Sequence, residues 1–446
     1  MSLVWYTGCT SGPKYDTNSH VEGTLTIRAE VDSTGDYSGF RISVLTQTLG
    51  DVDTLGTAVT DRSGSFVMSV SAPEAGIYPV IVERAGVSLS VDDMVVVDGD
   101  SILVSGAFPV GGRGLRIVSM ENSAWTAYTN AKAGHNQQMV SVIRSSGYTA
   151  ADIGRVTAQT SAVLWSIPTN FPNTIGGNLA LAESIVMMEG WSDSTVIARL
   201  PQVTFENPSI VEVIRAARRS TARLAGGAAA IALLDKYLER SPVDKRAGIM
   251  AEKVIAYADS FLTTEAVATA TELKKLYPES SWAAWAGRAT YELENLRPGM
   301  TAPTYRVVSR EGEELTTANM NGKFVILEFF DPNEQIFQRE FESRDGITTA
   351  LDNRLFETIS FSVEPDSVIN EALFDGTSHP GKFVWLGTGM DAKVVTDFNV
   401  QILPTRYLLN PDGIIVAKYS GPSIANLEQD LASIVTGING LSSGDQ

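Results

Sequence analysis

The chain has 446 residues, 43% hydrophobic and 19% charged, with 52 acidic against 34 basic residues for a formal charge of -18. That length exceeds one ordinary core and points to several domains, and the excess of acid excludes a nucleic-acid partner, whose phosphates are gripped by clustered Lys and Arg. A single cysteine, Cys9, excludes an intrachain disulfide, a multi-cysteine zinc site and a resolving-thiol cycle within one chain.

The first segment, residues 1–20, reads as a tail. LVWYTGC followed by TSG resembles the end of a bacterial lipoprotein signal, with Gly8 and Cys9 as cleavage junction and lipidated residue. Tyr6 stands where that motif prefers a small aliphatic residue, and the stretch before Cys9 is short and lacks a basic start. Two alternatives stay open: a lipid on Cys9 that anchors the protein to a membrane, or an unrelated free thiol. No apolar run approaches the roughly 18 residues of a spanning helix, so no transmembrane helix is expected.

Residues 21–118 predict a β-sandwich. GTLTIRAEV, FRISVLTQ, TAVT, GSFVMSVS, GIYPVIVER and SILVSG are short Val-, Ile- and Thr-rich runs cut by Asp-, Gly- and Pro-containing turns. Between Thr10 and Val110 there are 14 acidic and five basic residues. Asp92, Asp93, Asp98 and Asp100 lack EF-hand spacing and read as turn-forming surface acids. His20, His135 and His379 are too far apart in sequence to share metal-ligand spacing, so neither a metal nor a cofactor is expected.

Residues 119–297 shift to helical periodicity. In SPVDKRAGIMAEKVIAYADSFL, Ser241 reads as the N-cap, Pro242 as the first helical residue and Asp244 as its capping partner. TTEAVATATELKKLY and ESSWAAWAGRATYELENL predict a helical hairpin about Pro278. Trp282 and Trp285 share one helical face, as a peptide platform or, more simply, as packing against the next domain. Arg215, Arg218, Arg219 and Arg223 line one helix as a solvated or internally paired face.

From residue 298 to 437 the sequence resembles the thioredoxin-like superfamily, in its TlpA-like and redoxin (alkyl hydroperoxide reductase/thiol-specific antioxidant) branch. Gly299, Ala302 and Pro303 fit the family's opening motif, and Gly322-Lys323 precedes the apolar strand FVILEFF. Pro404-Thr405 fits the cis-proline segment, and Asn410 to Gly413 the last strand-to-strand turn. The upstream order of a β-rich and then a helical part is similar to that of Bacteroidetes-type multidomain envelope proteins. The fold class expected is thus multidomain α+β: an N-terminal β-sandwich, a central helical region, a C-terminal thioredoxin fold with a mixed central sheet, and a tail over residues 438–446.

In that family the strand runs into a turn of the type FFDPDCEHC, whose first cysteine is activated at a helix N-terminus. This chain reads FFDPNEQIF. The resemblance puts Glu334 at the nucleophile position and Phe337 at the resolving position, with Asp331 and Asn333 in the turn as binding candidates. Neither carboxylate nor benzyl group forms a mixed disulfide, so no catalytic residue is assigned. Glu334 reads as a capping and helix-dipole carboxylate, or as one side of a surface completed by Pro404 and Thr405.

Function is expected to be that of a non-catalytic, redox-inactive interaction or structural module with a protein partner, in the periplasm or outer envelope of a Gram-negative bacterium. The alternatives are a thiol-disulfide oxidoreductase or peroxidase, as the resemblance alone implies, and a ligand- or peptide-binding protein. The latter would use the cis-proline groove or the cleft between helical and thioredoxin-like parts.

Overall fold

The computed structural model describes residues 15–31, 34–48, 51–109, 114–320, 322–421 and 424–442. Cys9 and the lipoprotein-type junction lie outside them. The chain divides into two compact units, Met1–Ile249 and Met250–Gln446.

The first unit opens with eight strands: β1 (Thr17–Ile27), β2 (Phe40–Thr48), β3 (Asp51–Val59), β4 (Ser65–Ala72), β5 (Gly76–Arg84), β6 (Val87–Val96), β7 (Ser101–Phe108) and β8 (Arg116–Val118). They make two sheets of order β4-β1-β7-β8 and β3-β2-β5-β6. Alternation decides which side faces in: Phe66, Met68, Val70 and Ala72 of β4 are buried while Ser65, Val67 and Ser69 are exposed. Val21 and Ile102 of one sheet share a single core with Ile42, Val80 and Met94 of the other.

One reading of the acids needs correction here. Asp92 and Asp93 lie inside β6, opposite Val80 and Pro79 of β5, and not in a turn. Asp92 is half-buried and accepts the Leu115 amide at 3.2 Å; burial pushes its carboxyl up from the ordinary value. Asp98 and Asp100 do lie between β6 and β7 and accept the amides of Asn18 and Ser101.

Among the described residues the strands are followed by α1 (Met120–Arg144), α2 (Ala150–Asn170), α3 (Ile175–Val186), α4 (Asp193–Arg199), α5 (Ile210–Ala225) and α6 (Gly227–Arg240). The buried Asn122 of α1 fixes the helix to β6, accepting from the Val95 amide and donating to the Val95 carbonyl, each at 2.9 Å. On α5, Arg223 meets Asp193 at 2.7 Å, Arg219 meets Glu189 at 3.6 Å, and Arg218 is buried. Arg219 and Arg223 therefore lie within internal pairs, and neither Arg215 nor Arg218 is without an interaction of its own. A helix α7 (Val243–Asp259) follows and crosses from one unit into the next. Ser241 does not cap it: the residue is buried at the end of α6 and its hydroxyl donates to the Leu238 carbonyl at 3.1 Å.

The second unit holds the rest of α7, the hairpin α8 (Thr263–Leu276) and α9 (Ser281–Asn295), a small ribbon of β9 (Arg306–Val308) and β10 (Glu314–Thr316), and then a five-stranded sheet. The sheet is built from β11 (Phe324–Phe330), β12 (Phe356–Ser362), β13 (Lys382–Trp385), β14 (Thr405–Leu409) and β15 (Ile415–Ser420) in the order β13-β12-β11-β14-β15. β11, β12 and β13 are parallel, and β14 and β15 run antiparallel to their neighbours.

Parallel neighbours need a crossover. The helices α10 (Gln335–Ala350) and α11 (Ser367–Ala372) supply the two required, while α12 (Lys393–Asp397) precedes β14 and α13 (Ile424–Ser442) closes the unit. Ile347, Leu427 and Leu431 cover one face beside Ile326 and Leu408; Leu315, Val395 and Phe398 cover the other beside Leu327 and Tyr407. This is a thioredoxin-like domain covering about a third of the chain.

The helical stretch 119–297 is shared between the two units. Leu296 is buried in the same core as Leu327 and Tyr407, and Glu292 of α9 receives both Lys418 at 2.7 Å and the Asn399 amide at 2.9 Å. α9 is thereby packed as part of the thioredoxin-like sheet's own surroundings.

Candidate functional site: the turn after the central strand

β11 is the middle strand of the sheet and is buried along nearly its whole length, as befits a parallel strand covered on both faces. It delivers Asp331, Pro332, Asn333 and Glu334 to the start of α10. The turn is tied down locally. The Asp331 carboxylate accepts the Asn333 amide at 2.8 Å, the Asp331 carbonyl accepts the Glu334 amide at 3.1 Å, and Gln338 reaches back to the Pro332 carbonyl at 2.9 Å. The Asn333 side chain donates to Glu364 at 2.7 Å.

Glu334 occupies the N-cap position of α10 and is exposed, but its side chain accepts no helix amide. The capping role expected of its carboxylate is therefore corrected, leaving an exposed anion at the positive end of a helix. Phe337, in the first turn, is 1% exposed. Its ring stacks on Phe330 with centroids 4.1 Å apart and tilts against Phe341 at 5.0 Å, within a cluster that includes Phe383.

The Leu403–Pro404 bond is cis, but the surface expected from Pro404 and Thr405 is not there. Both are buried, and the Thr405 hydroxyl donates to the Ile402 carbonyl at 2.7 Å. What this segment presents to solvent is Gln401 and Ile402, the latter 58% exposed. Trp282 and Trp285 meet edge to face at 5.8 Å, and Trp285 lines a cleft with Gln401 and Ile402.

Beneath the turn lies a set of charges that sequence reasoning missed. Glu328 of β11 is 1% exposed and accepts Arg406 Nε at 2.9 Å and Arg344 Nε at 3.1 Å. Ser360 donates to the same carboxylate at 2.9 Å while accepting from Arg344 at 2.7 Å. The chain of alternating sign continues outward from Arg406 to Glu340 at 3.1 Å and from Arg344 to Asp345 at 2.7 Å, and the His379 ring meets the Asp345 carboxylate at 2.5 Å. Burial alone would raise the Glu328 carboxyl, but the charges of Arg406 and Arg344 and their hydrogen bonds hold it below the usual carboxylate value. The available signal was a single acid inside FVILEFF and a single base inside TRYLL, in strands otherwise apolar enough to be buried on both faces.

Among the described residues no three His, Cys, Asp or Glu side chains are placed to hold a metal ion, and no helix is long and apolar enough to cross a membrane. The turn offers a carboxylate, amides and an adjacent apolar side chain.

No protein-family profile and no curated protein matches the chain. Solved structures do show similarity. One described as a thiol:disulfide interchange protein DsbE from Chlorobium tepidum is 15% identical and covers 31% of this chain and 98% of its own, with a TM-score of 0.29. The thioredoxin domain of a thiol-disulfide oxidoreductase from Bacteroides vulgatus is 19% identical over 31% of this chain and 99% of its own, with a TM-score of 0.28. The exposed lipoprotein thioredoxin Etrx1 from Streptococcus pneumoniae is 17% identical over 29% of this chain and 99% of its own, with a TM-score of 0.26. The share of this chain that each covers is about the size of its thioredoxin-like domain, whose fold follows from its own strand order and crossovers.

Proposed function

We propose that the thioredoxin-like domain is a redox-inactive protein-interaction module of a bacterial cell-envelope protein. The observation that carries this is the pair of side chains where the resembled family keeps its sulfurs: an exposed carboxylate, Glu334, and a benzyl group, Phe337, packed into an aromatic cluster. Dithiol exchange needs an attacking thiolate and a second thiol to resolve the mixed disulfide, and peroxide reduction needs a thiolate to be oxidised. The only cysteine, Cys9, lies nearly 300 residues before the domain.

What remains usable is a rigid surface. Asn333 and Glu334 are held on a turn fixed by its own hydrogen bonds, and Ile402 stands out on the segment before Pro404. Rigid turns that present one apolar and a few polar groups suit protein recognition, because little freedom is lost on docking. The envelope location, in the periplasm or at the outer membrane with a lipid on Cys9, rests on the resemblance of the domain order and of the TGC junction.

The test has two arms. Purified protein should reduce insulin disulfides and consume hydroperoxide no faster than buffer with reductant; a rate above that background overturns the inactive reading. Affinity capture from the native envelope should retain a stoichiometric partner whose binding weakens at least tenfold in Ile402→Asp. A partner held equally by wild type and variant would place recognition elsewhere.

A further inference from the structure

The second unit contains a cleft of about 610 Å³ between α7, α9 and the segment leading to Pro404. That volume lies within the roughly 300–1,000 Å³ of small-molecule sites. Ile255, Trp285, Ala289, Leu293 and Ile402 make its walls largely apolar.

The charges at the cleft are not equivalent. Glu292 is already engaged, pairing with Lys418 at 2.7 Å and accepting the Asn399 side-chain amide at 2.9 Å. Arg297 is engaged with the Thr263 hydroxyl, and Asp259 has a partner of its own. Arg288 differs: it lines the cleft, is exposed, and its guanidinium has no partner among the described residues. The turn of α9 that carries it is held in place, because the Arg288 carbonyl accepts the Asn399 side-chain amide, from the segment before β14, at 3.3 Å. An apolar hollow with one uncommitted guanidinium at its edge complements a molecule with an apolar body and a single anionic end.

We propose that this cleft binds a small amphipathic carboxylate, with its chain or ring against Trp285, Ala289 and Ile402 and its carboxylate paired with Arg288. The site goes beyond the interaction reading: it uses neither Glu334 nor Phe337 and shares only Ile402 with it, and the variants below leave Ile402 in place, so the two readings fail separately. Binding needs no covalent step and no cofactor.

Octanoate and 1-octanol, which share a chain and differ in charge, are the probes. Titration calorimetry of the full-length protein should show octanoate binding saturably below millimolar concentration. Arg288→Gln should weaken octanoate about tenfold, the loss of one charge-assisted contact, and leave octanol within a factor of two. Ala289→Trp, which fills the hollow, should abolish both, provided its near-ultraviolet circular dichroism matches wild type. Independently of that variant, the change in tryptophan emission on adding octanoate should shrink in Trp285→Phe. No saturable octanoate binding by wild type, an unchanged octanoate affinity in Arg288→Gln, or equal loss of both probes in Arg288→Gln would each overturn the assignment.

Discussion

Phe337 shows how a benzyl group is accommodated in the first turn of α10. A cysteine there can stay near the surface, whereas a benzyl group gains more from stacking on Phe330 and Phe341 than from exposure. Phe337→Ala should therefore cost about 3–5 kcal/mol in urea unfolding, the range for a deleted core aromatic. The double variant Glu334→Cys with Phe337→Cys should form a disulfide, since the two positions sit three apart across the start of α10. The oxidised protein would then show no free thiol beyond Cys9, with stability below wild type because the aromatic cluster is lost. Glu328 makes a second, opposite kind of demand. Glu328→Gln leaves two buried guanidiniums without their carboxylate and should destabilise by about 3–5 kcal/mol. The sign with pH follows from its depressed folded value: its stabilisation is complete above the ordinary value of 4.5 and is lost as pH falls through the lower folded one. Unfolding free energy measured from pH 6 to pH 3 should thus fall less steeply in Glu328→Gln than in wild type.

At the scale of elements, α9 belongs energetically with the sheet that follows it. Leu296 is 2% exposed at the end of α9 and packs with Leu327 and Tyr407. Leu296→Ala should lower the stability of the thioredoxin-like domain by about 2–5 kcal/mol, although the residue precedes the recognisable sequence. Correspondingly, a fragment of residues 263–446 should melt above one of residues 298–446. These contacts are also why part of the organisation was not legible. Turn residues and apolar runs locate most of the sandwich strands, because those signals are local, and the resemblance locates β11 and α10. Trp282 and Trp285 pointed α9 toward the next domain, but the contact that Lys418 makes with Glu292 across 126 residues is one no local pattern encodes. The strand β6 was hidden by Asp92-Asp93, whose usual preference for turns is overridden by pairing with β5. Ser241 was misread for a related reason: its hydroxyl serves the helix behind it, and the same serine-proline pair suits either role. Position within the turn was readable for Glu334, but exposure was not, since burial of Pro404 and Thr405 is set by packing from both sides.

For the whole molecule, the dominant long-range term is a formal charge of -18 with an isoelectric point near 4.7. At neutral pH that charge keeps copies apart, and as surface carboxylates take up protons toward pH 4.7 the repulsion vanishes. Turbidity should accordingly peak near that pH. Whether the species that associates is folded depends on the buried network, not on the surface. Glu328 retains its charge below the value at which exposed glutamates lose theirs, and its two arginines stay paired, so the thioredoxin-like domain keeps this buried ion-pair network at the isoelectric point. Precipitate formed at pH 4.7 should redissolve at pH 7 with native near-ultraviolet circular dichroism and no lag. Material taken below the lowered folded value of Glu328, where that carboxylate protonates, should recover only through refolding. In Glu328→Gln the two arginines lose their shared carboxylate and keep only Glu340 and Asp345 at every pH, so its pH 4.7 precipitate should already contain unfolded protein. A pH 4.7 precipitate that redissolves natively for the variant as well as for wild type would show that the network contributes little to holding the domain together.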